Sequence, residues 1–141
     1  MLFLISQTIL LFSHIAVTWY IAVIMTFNLT LLLCDNMLVS STTLAAEIFQ
    51  FAEAMARASR GPHTKLRVRW VSIDGKPVQT SAGFQLTPTH AIDDRFTSDL
   101  IHIPALWRNP RPAVANNQAY IPWLQEQHQR NSSFTAVGTG V

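Results

Sequence analysis

Phe134-Thr-Ala-Val-Gly-Thr-Gly-Val141, which closes the sequence, reads as a buried strand running straight into a Gly-Thr-Gly turn. A strand broken by a sharp turn of small residues is how open α/β sheets present a reactive or ligand-facing group at the carboxyl ends of their strands. A nucleophile in such a turn is a Ser or Cys. The corresponding position here is Gly138, which has no side chain. The stretch therefore predicts an α/β scaffold without its reactive group, and residues 98–141 are read around it.

Upstream, residues 27–34 form a short apolar run bounded by Asp35-Asn36, the pattern of a strand covered on both faces. Ser40 and Ser41 offer N-cap chemistry to a helix on which Leu44, Ile48, Phe51 or Ala52, and Met55 recur at helical spacing. Arg57 and Arg60 suit its carboxyl end, and Gly61-Pro62 stops it. Residues 66–73 predict the next strand, and Asp74-Gly75 predicts a hairpin to a return strand at 78–81, cut short by Gly83. Residues 99–104 predict a third core strand, followed by the proline-punctuated connection Trp107-Arg-Asn-Pro-Arg-Pro112. Residues 113–130 are helical in pattern, with Tyr120, Trp123, Leu124 and His128 able to share a face and a kink or restart at Pro122. Such alternation of strand and helix implies α/β architecture: a mainly parallel sheet sandwiched by helices.

The chain has 141 residues, 49% hydrophobic and 13% charged. Its apolar excess is local, since no Asp, Glu, Lys or Arg precedes Asp35. A net charge of +2 is too small to argue for nucleic acid, and the Lys65-Leu-Arg67-Val-Arg69 alternation reads as the polar edge of a strand. A single cysteine excludes an internal disulfide and fits a reducing compartment. Residues 1–24 are long enough for a membrane span, but they contain Ser6, Gln7, Thr8, Ser13, His14 and Thr18 and lack flanking positive charge. Three readings stay open for them: a spurious or disordered extension upstream of a start at Met25, a membrane helix, or a degenerate signal.

Taken together, Asp99-Leu-Ile-His-Ile-Pro104, the following Trp-Arg-Asn-Pro, and residues 117–141 resemble the PfpI-like branch of the class I glutamine amidotransferase-like superfamily. More narrowly, they resemble the amino-terminal domain of certain AraC-type transcriptional regulators. Leu44-Ala-Ala-Glu-Ile-Phe49, Val71-Ser-Ile-Asp-Gly75 and Val78-Gln-Thr-Ser-Ala-Gly83 support it, and the resemblance covers about residues 25 to 141. It implies a flavodoxin-like fold, incomplete at the C-terminus, with residues 25–141 a partial PfpI-like domain.

Enzymes of that superfamily carry a Cys at the elbow, a carboxylate before the first helix, and small residues with free N–H groups after a middle strand. Those positions fall here on Gly138, near Ser41, and on Ala105-Leu106. Hydrogen cannot replace a thiolate, Ser41 cannot hold a carboxylate's charge, and Leu106 adds bulk where a backbone must approach closely. The resemblance thus implies a non-catalytic, ligand-sensing or dimerising domain, with no cofactor. Its partners would be an unidentified small-molecule effector and, in full-length relatives, a second copy. DNA would be reached only through a missing helix-turn-helix part. The implied compartment is the cytoplasm, with a membrane anchor through residues 1–24 as the alternative. Rival readings are a cysteine hydrolase or amidase of the same fold and a small membrane-anchored protein.

Ser41, Ala105, Leu106, Trp107, Gly138 and Thr139 are the candidate ligand-pocket residues. Trp107 and Arg108 read equally as pocket wall or as packing under a loop. Cys34 reads as a buried structural thiol rather than a reactive one, because neighbouring Asp35 raises its pKa. The five histidines show no metal-ligand spacing, and His102 reads as a hydrogen-bonded interior residue. Asp93, Asp94 and Asp99 read as capping or solvated loop carboxylates.

Overall fold

The apolar run after Met25 becomes the middle of a parallel sheet. The computed structural model describes residues 25–60, 64–108 and 110–140. The three readings of residues 1–24 and the helix stop at Gly61-Pro62 lie outside the described residues. Strand β1 (Met25–Leu32) pairs with β2 (Thr64–Ser72) on one side and β6 (Leu100–Ile103) on the other. The short β5 (His90–Ala91) flanks β2 and β7 (Ser133–Ala136) flanks β6, so the order is β5-β2-β1-β6-β7 and every pairing is parallel. Parallel pairing requires crossovers. Helix α1 (Val39–Arg60) supplies the one between β1 and β2; α2 (Pro110–Asn116) and α3 (Tyr120–Gln129) supply the one between β6 and β7.

Alternation along the strands divides the core into two faces. Leu29 and Leu31 of β1, with Leu66, Val68 and Leu100, meet Ala46 and Phe49 of α1, and Phe27 stacks on Phe49 with ring centroids 5.9 Å apart. The opposite face gathers Leu32, Val71 and Ile101 beneath Tyr120 and Trp123 of α3. This three-layer α/β arrangement is the one the element order predicts.

Four expectations are corrected. Leu44, Ile48, Phe51 and Met55 do not face the sheet: they are 57%, 58%, 69% and 58% exposed. Large side chains already fill the middle of the α1 face of the sheet, so the helix presents Thr42 and Ala46 there and places Phe49 beside them, stacked on Phe27. The return strand after Asp74-Gly75 does not pair with β2. Instead β3 (Val78–Gln79) pairs antiparallel with β4 (Gln85–Leu86), turning at Gly83 with φ +90°. Backbone bonds fix β3 to the loop after β1: Asn36 N donates to Gln79 O, and Gln79 N donates to Asp35 Oδ1.

The third correction concerns Arg69 of β2: Lys65 and Arg67 are exposed as a polar edge requires, but Arg69 is not. Arg69 is buried with its guanidinium 5.0 Å from the Phe96 ring centre, donating to Thr97 O at 3.0 Å. Burial, aided by Arg67 and opposed by Asp99, lowers its pKa. Finally, β7 is exposed along its length, because one side of it faces no strand and its faces are uncovered. The helical break falls at residues 117–119 and Pro122 sits in the first turn of α3, where a missing N–H costs nothing. The restart at Tyr120 turns Gln127 inward and leaves His128 exposed.

Candidate functional site

The carboxyl ends of β1, β6 and β7 converge where an open α/β sheet holds its ligands. The loop after β1 and the loop after β6 are stitched together by Leu38 N to Ala105 O (2.8 Å) and Trp107 N to Asn36 O (3.0 Å), around a Met37–Leu106 bridge. The chain after β7 folds across the same place as a single 3₁₀ turn, Gly138–Gly140. Ser41, Ala105, Leu106, Gly138 and Thr139 are thereby brought together.

The backbone donors of Ala105 and Leu106 at this meeting point are occupied. Ser41 lies inside the first turn of α1 rather than capping it. Its hydroxyl donates to Leu38 O (2.6 Å) and accepts from Ala105 N (3.1 Å). Thr139 Oγ1 accepts from Leu106 N (2.8 Å) and donates to Leu106 O (2.9 Å). The two N–H groups that could have faced a developing oxyanion are therefore bonded to hydroxyls. Gly138 has φ +54°, a left-handed conformation suited to glycine, and a Cβ built there would meet only Ala105 Cβ, at 3.6 Å.

Gly140 is tighter. A Cβ at that position would come within 2.5 Å of Pro104 O, so the turn closes against the end of β6 only because the residue is glycine. Behind the turn, His102 is 4% exposed and doubly bonded, its Nε2 to Ser41 O (3.0 Å) and its Nδ1 to Thr135 Oγ1 (2.9 Å). A carbonyl only accepts, so Nε2 carries the hydrogen; in the neutral ring Nδ1 accepts from the threonine. His102 thus ties β6 to β7 and to α1, as an interior histidine.

Beside this knot lies a cavity of about 220 Å³. Leu32, Ile103, Leu106, Val114, Ile121 and Leu124 are among its apolar walls, and Cys34, Asn117, Tyr120 and Thr139 bring polar atoms to it. The Tyr120 hydroxyl donates to Leu33 O at 2.6 Å, with Val71 O at 3.2 Å, and so braces the ends of β1 and β2. Burial, then Cys34, Asp74 and Asp35, pushes its pKa above the ordinary tyrosine value. The Cys34 thiol is pushed up to about 12 by burial and by Asp35, which makes it a poor nucleophile.

Of the six sequence-derived pocket residues, Leu106 and Thr139 line the cavity, whereas Ser41, Ala105 and Gly138 lie in the adjoining knot. Trp107 is 44% exposed outside the cavity, with the Arg108 guanidinium 5.7 Å from its ring centre. Tyr120 and Ile121 also line the cavity, and their sequence signal is the apolar face of the second helical region, which a sequence assigns to core and cavity alike; Asn117, polar and in the break at 117–119, carries no such signal.

A larger groove of about 690 Å³ runs between the β5–β6 connection and α3, walled by Asp93, Asp94, Arg95, Glu126 and Arg130. Its charges are solvated, and Asp94 Oδ2 is occupied by Ala91 N (2.8 Å). Asp99 Oδ2 likewise accepts from Asn28 N and Nδ2. Among the described residues no group of His, Cys, Asp and Glu could hold a metal ion, and no helix is long and apolar enough to cross a membrane.

No family model and no curated protein matches the sequence. Solved structures do match. A transcriptional-regulator assignment accompanies one, from Vibrio parahaemolyticus, with a TM-score of 0.69 at 19% identity, covering 83% of this chain and 59% of that one. A ThiJ/PfpI family protein from Pseudomonas syringae gives a TM-score of 0.62 at 15% identity, covering 84% and 44%. An AraC family transcriptional regulator from Pseudomonas putida gives 0.55 at 15% identity, covering 81% and 66%. The chain has the DJ-1/ThiJ/PfpI fold, flavodoxin-like and mainly parallel, and that fold is found in AraC-family regulators as well as in ThiJ/PfpI proteins. It spans less than two thirds of the length of these neighbours.

Proposed function

We propose that this chain is a non-catalytic, ligand-sensing and dimerising domain of an AraC-type transcriptional regulator, acting in the cytoplasm. DNA would be reached through a helix-turn-helix part that residues 25–141 do not include. The observation that carries this reading is the closed knot: Ala105 N and Leu106 N are bonded to Ser41 Oγ and Thr139 Oγ1, beside Gly138 at the elbow. Acyl-transfer chemistry needs a nucleophile and free donors at that place. The apolar cavity next to it retains what a sensor needs, a half-open apolar volume whose wall at Leu106 and Thr139 is hydrogen-bonded into the knot.

The effector class follows from the walls. A volume of about 220 Å³ with an almost wholly apolar lining suits a compact molecule of a few apolar heavy atoms, oriented by Asn117 or Thr139 at its edge. Calorimetric titration of the full chain with short branched aliphatic acids, amides and alcohols tests this. Saturable binding that Leu124→Trp abolishes, without turnover of the ligand, is the expected result. Cysteine-independent hydrolysis of an amide or ester, blocked by the same substitution, would replace the sensor reading with an enzymatic one.

A further inference from the structure

The larger groove, between the β5–β6 connection and α3, shares no lining residue with the cavity beside the knot. Pro122, Trp123, Glu126 and Gln127, spaced along one side of α3, form one wall, and residues 92–96 form the other. Its floor is aromatic. Buried Trp123 lies 6.0 Å, ring centre to ring centre, from Phe96, which is held in turn by the Arg69 guanidinium at 5.0 Å and by His90 in edge contact at 5.4 Å. At about 690 Å³ the space falls in the range of pockets that enclose drug-sized ligands.

One buried polar group opens on this groove unanswered. Gln127 is 2% exposed. Ser132 Oγ lies 3.4 Å from its Oε1 but spends its one hydrogen on Ser98 O at 2.6 Å. Gln127 Nε2 has no acceptor among the described residues, yet it is not sealed in: the one enclosed side-chain orphan among them is Thr42 Oγ1. The groove is the open space that Gln127 lines, so its amide nitrogen reaches into it. The rim also has two charges to spare. Asp94 is bonded to Ala91 N and Glu126 to Arg130, which leaves Asp93 and Arg95 without partners among the described residues.

We propose that this groove binds a zwitterionic dipeptide carrying an apolar or aromatic side chain, at a site separate from the cavity beside the knot. A peptide unit has both a carbonyl and an N–H, so it pairs with the primary amide of Gln127 whichever way round that amide sits. The side chain lies on Phe96 and Trp123. The terminal carboxylate meets Arg95 and the ammonium meets Asp93. These two residues are two positions apart, a span of at most roughly 7 Å, and the ends of a dipeptide are separated by the same two residues of chain.

Calorimetric titration of the full chain with leucyl-phenylalanine tests it, alongside the N-acetylated and C-amidated forms, each of which lacks one terminal charge. The free dipeptide should bind saturably, and either cap should weaken it about 3- to 5-fold. Arg95→Gln should weaken the free dipeptide equally and leave the amide unchanged; Asp93→Asn should leave the N-acetyl form unchanged. Gln127→Leu should weaken all three about 10-fold, with circular dichroism to confirm its fold. Asp93 and Arg95 are exposed, so their variants decide the matter even where Gln127→Leu fails to fold. Leu124→Trp, in the cavity wall, should leave dipeptide binding as it was. A free dipeptide that does not bind, or that binds no better than its capped forms, overturns the site. Loss of binding in Leu124→Trp overturns it as well, because the dipeptide would then sit in the apolar cavity. Phenylalanine binding as tightly as the dipeptide overturns the assignment of ligand class.

Discussion

Gly138→Cys places a thiol where the elbow of an α/β enzyme carries its nucleophile, and the structure sets what should follow. The backbone there has φ +54°, so any residue with a Cβ is strained by about 1–2 kcal/mol. No clash adds to this, because the new Cβ meets Ala105 Cβ at an ordinary 3.6 Å. Urea denaturation should therefore show a lower midpoint at unchanged slope. The thiol should gain no activation. Ala105 N and Leu106 N are committed to Ser41 Oγ and Thr139 Oγ1, and Ser41 supplies no charge in place of a carboxylate. Its pKa, read from the pH dependence of alkylation, should stay near about 8.5. Cys34, which is buried, serves as the unreactive control. A thiol pKa below about 7, or ester turnover dependent on the introduced cysteine, would refute the closed-knot argument. Either result would mean that the two N–H groups are free to reorganise around an anion.

Gly140→Ala should destabilise by about 2 kcal/mol or more by chemical denaturation, since the added methyl would lie 2.5 Å from Pro104 O. Tyr120→Phe should cost about 1–2 kcal/mol, because it removes the buried donor to Leu33 O and leaves that carbonyl less satisfied. Thr42→Val should be neutral or stabilising by up to about 1 kcal/mol, as the buried Thr42 hydroxyl has no hydrogen-bond partner among the described residues. Stability should also fall on alkaline titration. Cys34 has its thiol raised from 9.0 to about 12, so the folded state holds a proton that the unfolded chain releases. Its contribution is whole below pH 9.0 and is lost at about 1.4 kcal/mol per pH unit as the pH climbs toward the folded value. Tyr120, raised from 10.0, steepens the loss above that pH. Cys34→Ala should remove the first part of the slope in urea titrations at stepped pH.

Strands β1 and β6 were legible as near-continuous apolar runs ending at Asp35-Asn36 and Pro104, and β2 as an alternation of polar and apolar residues ending at Asp74-Gly75. Helix α1 was legible in length but not in orientation. Its period reveals an apolar line, yet which line meets the sheet depends on the volume the sheet has left. With Leu29, Leu31 and Leu66 already filling the space, Ala46 fits there and Leu44 does not. The Asp74-Gly75 signal correctly marked a turn, with Gly75 at φ +73° and Lys76 N donating to Asp74 Oδ1. Turn chemistry is local, however, and the partner of the strand that follows was decided by Asp35 and Asn36, distant in sequence.

The same division between local and distant signals explains the site. Gly138 in the turn after β7 and Ser41 in the first turn of α1 can be read residue by residue. That the hydroxyls of Ser41 and Thr139 instead occupy the facing N–H groups could not, because it requires three loops to meet. The two facts are complementary. Without a substrate, free N–H donors at a buried strand end carry a desolvation cost of about 1–3 kcal/mol each. Ser41 and Thr139 offset it and hold the β6 loop against the 3₁₀ turn. That connection ties the wall of the neighbouring cavity to both: Leu106 lines the cavity and is bonded to Thr139, while Ala105 is bonded to Ser41 in the first turn of α1.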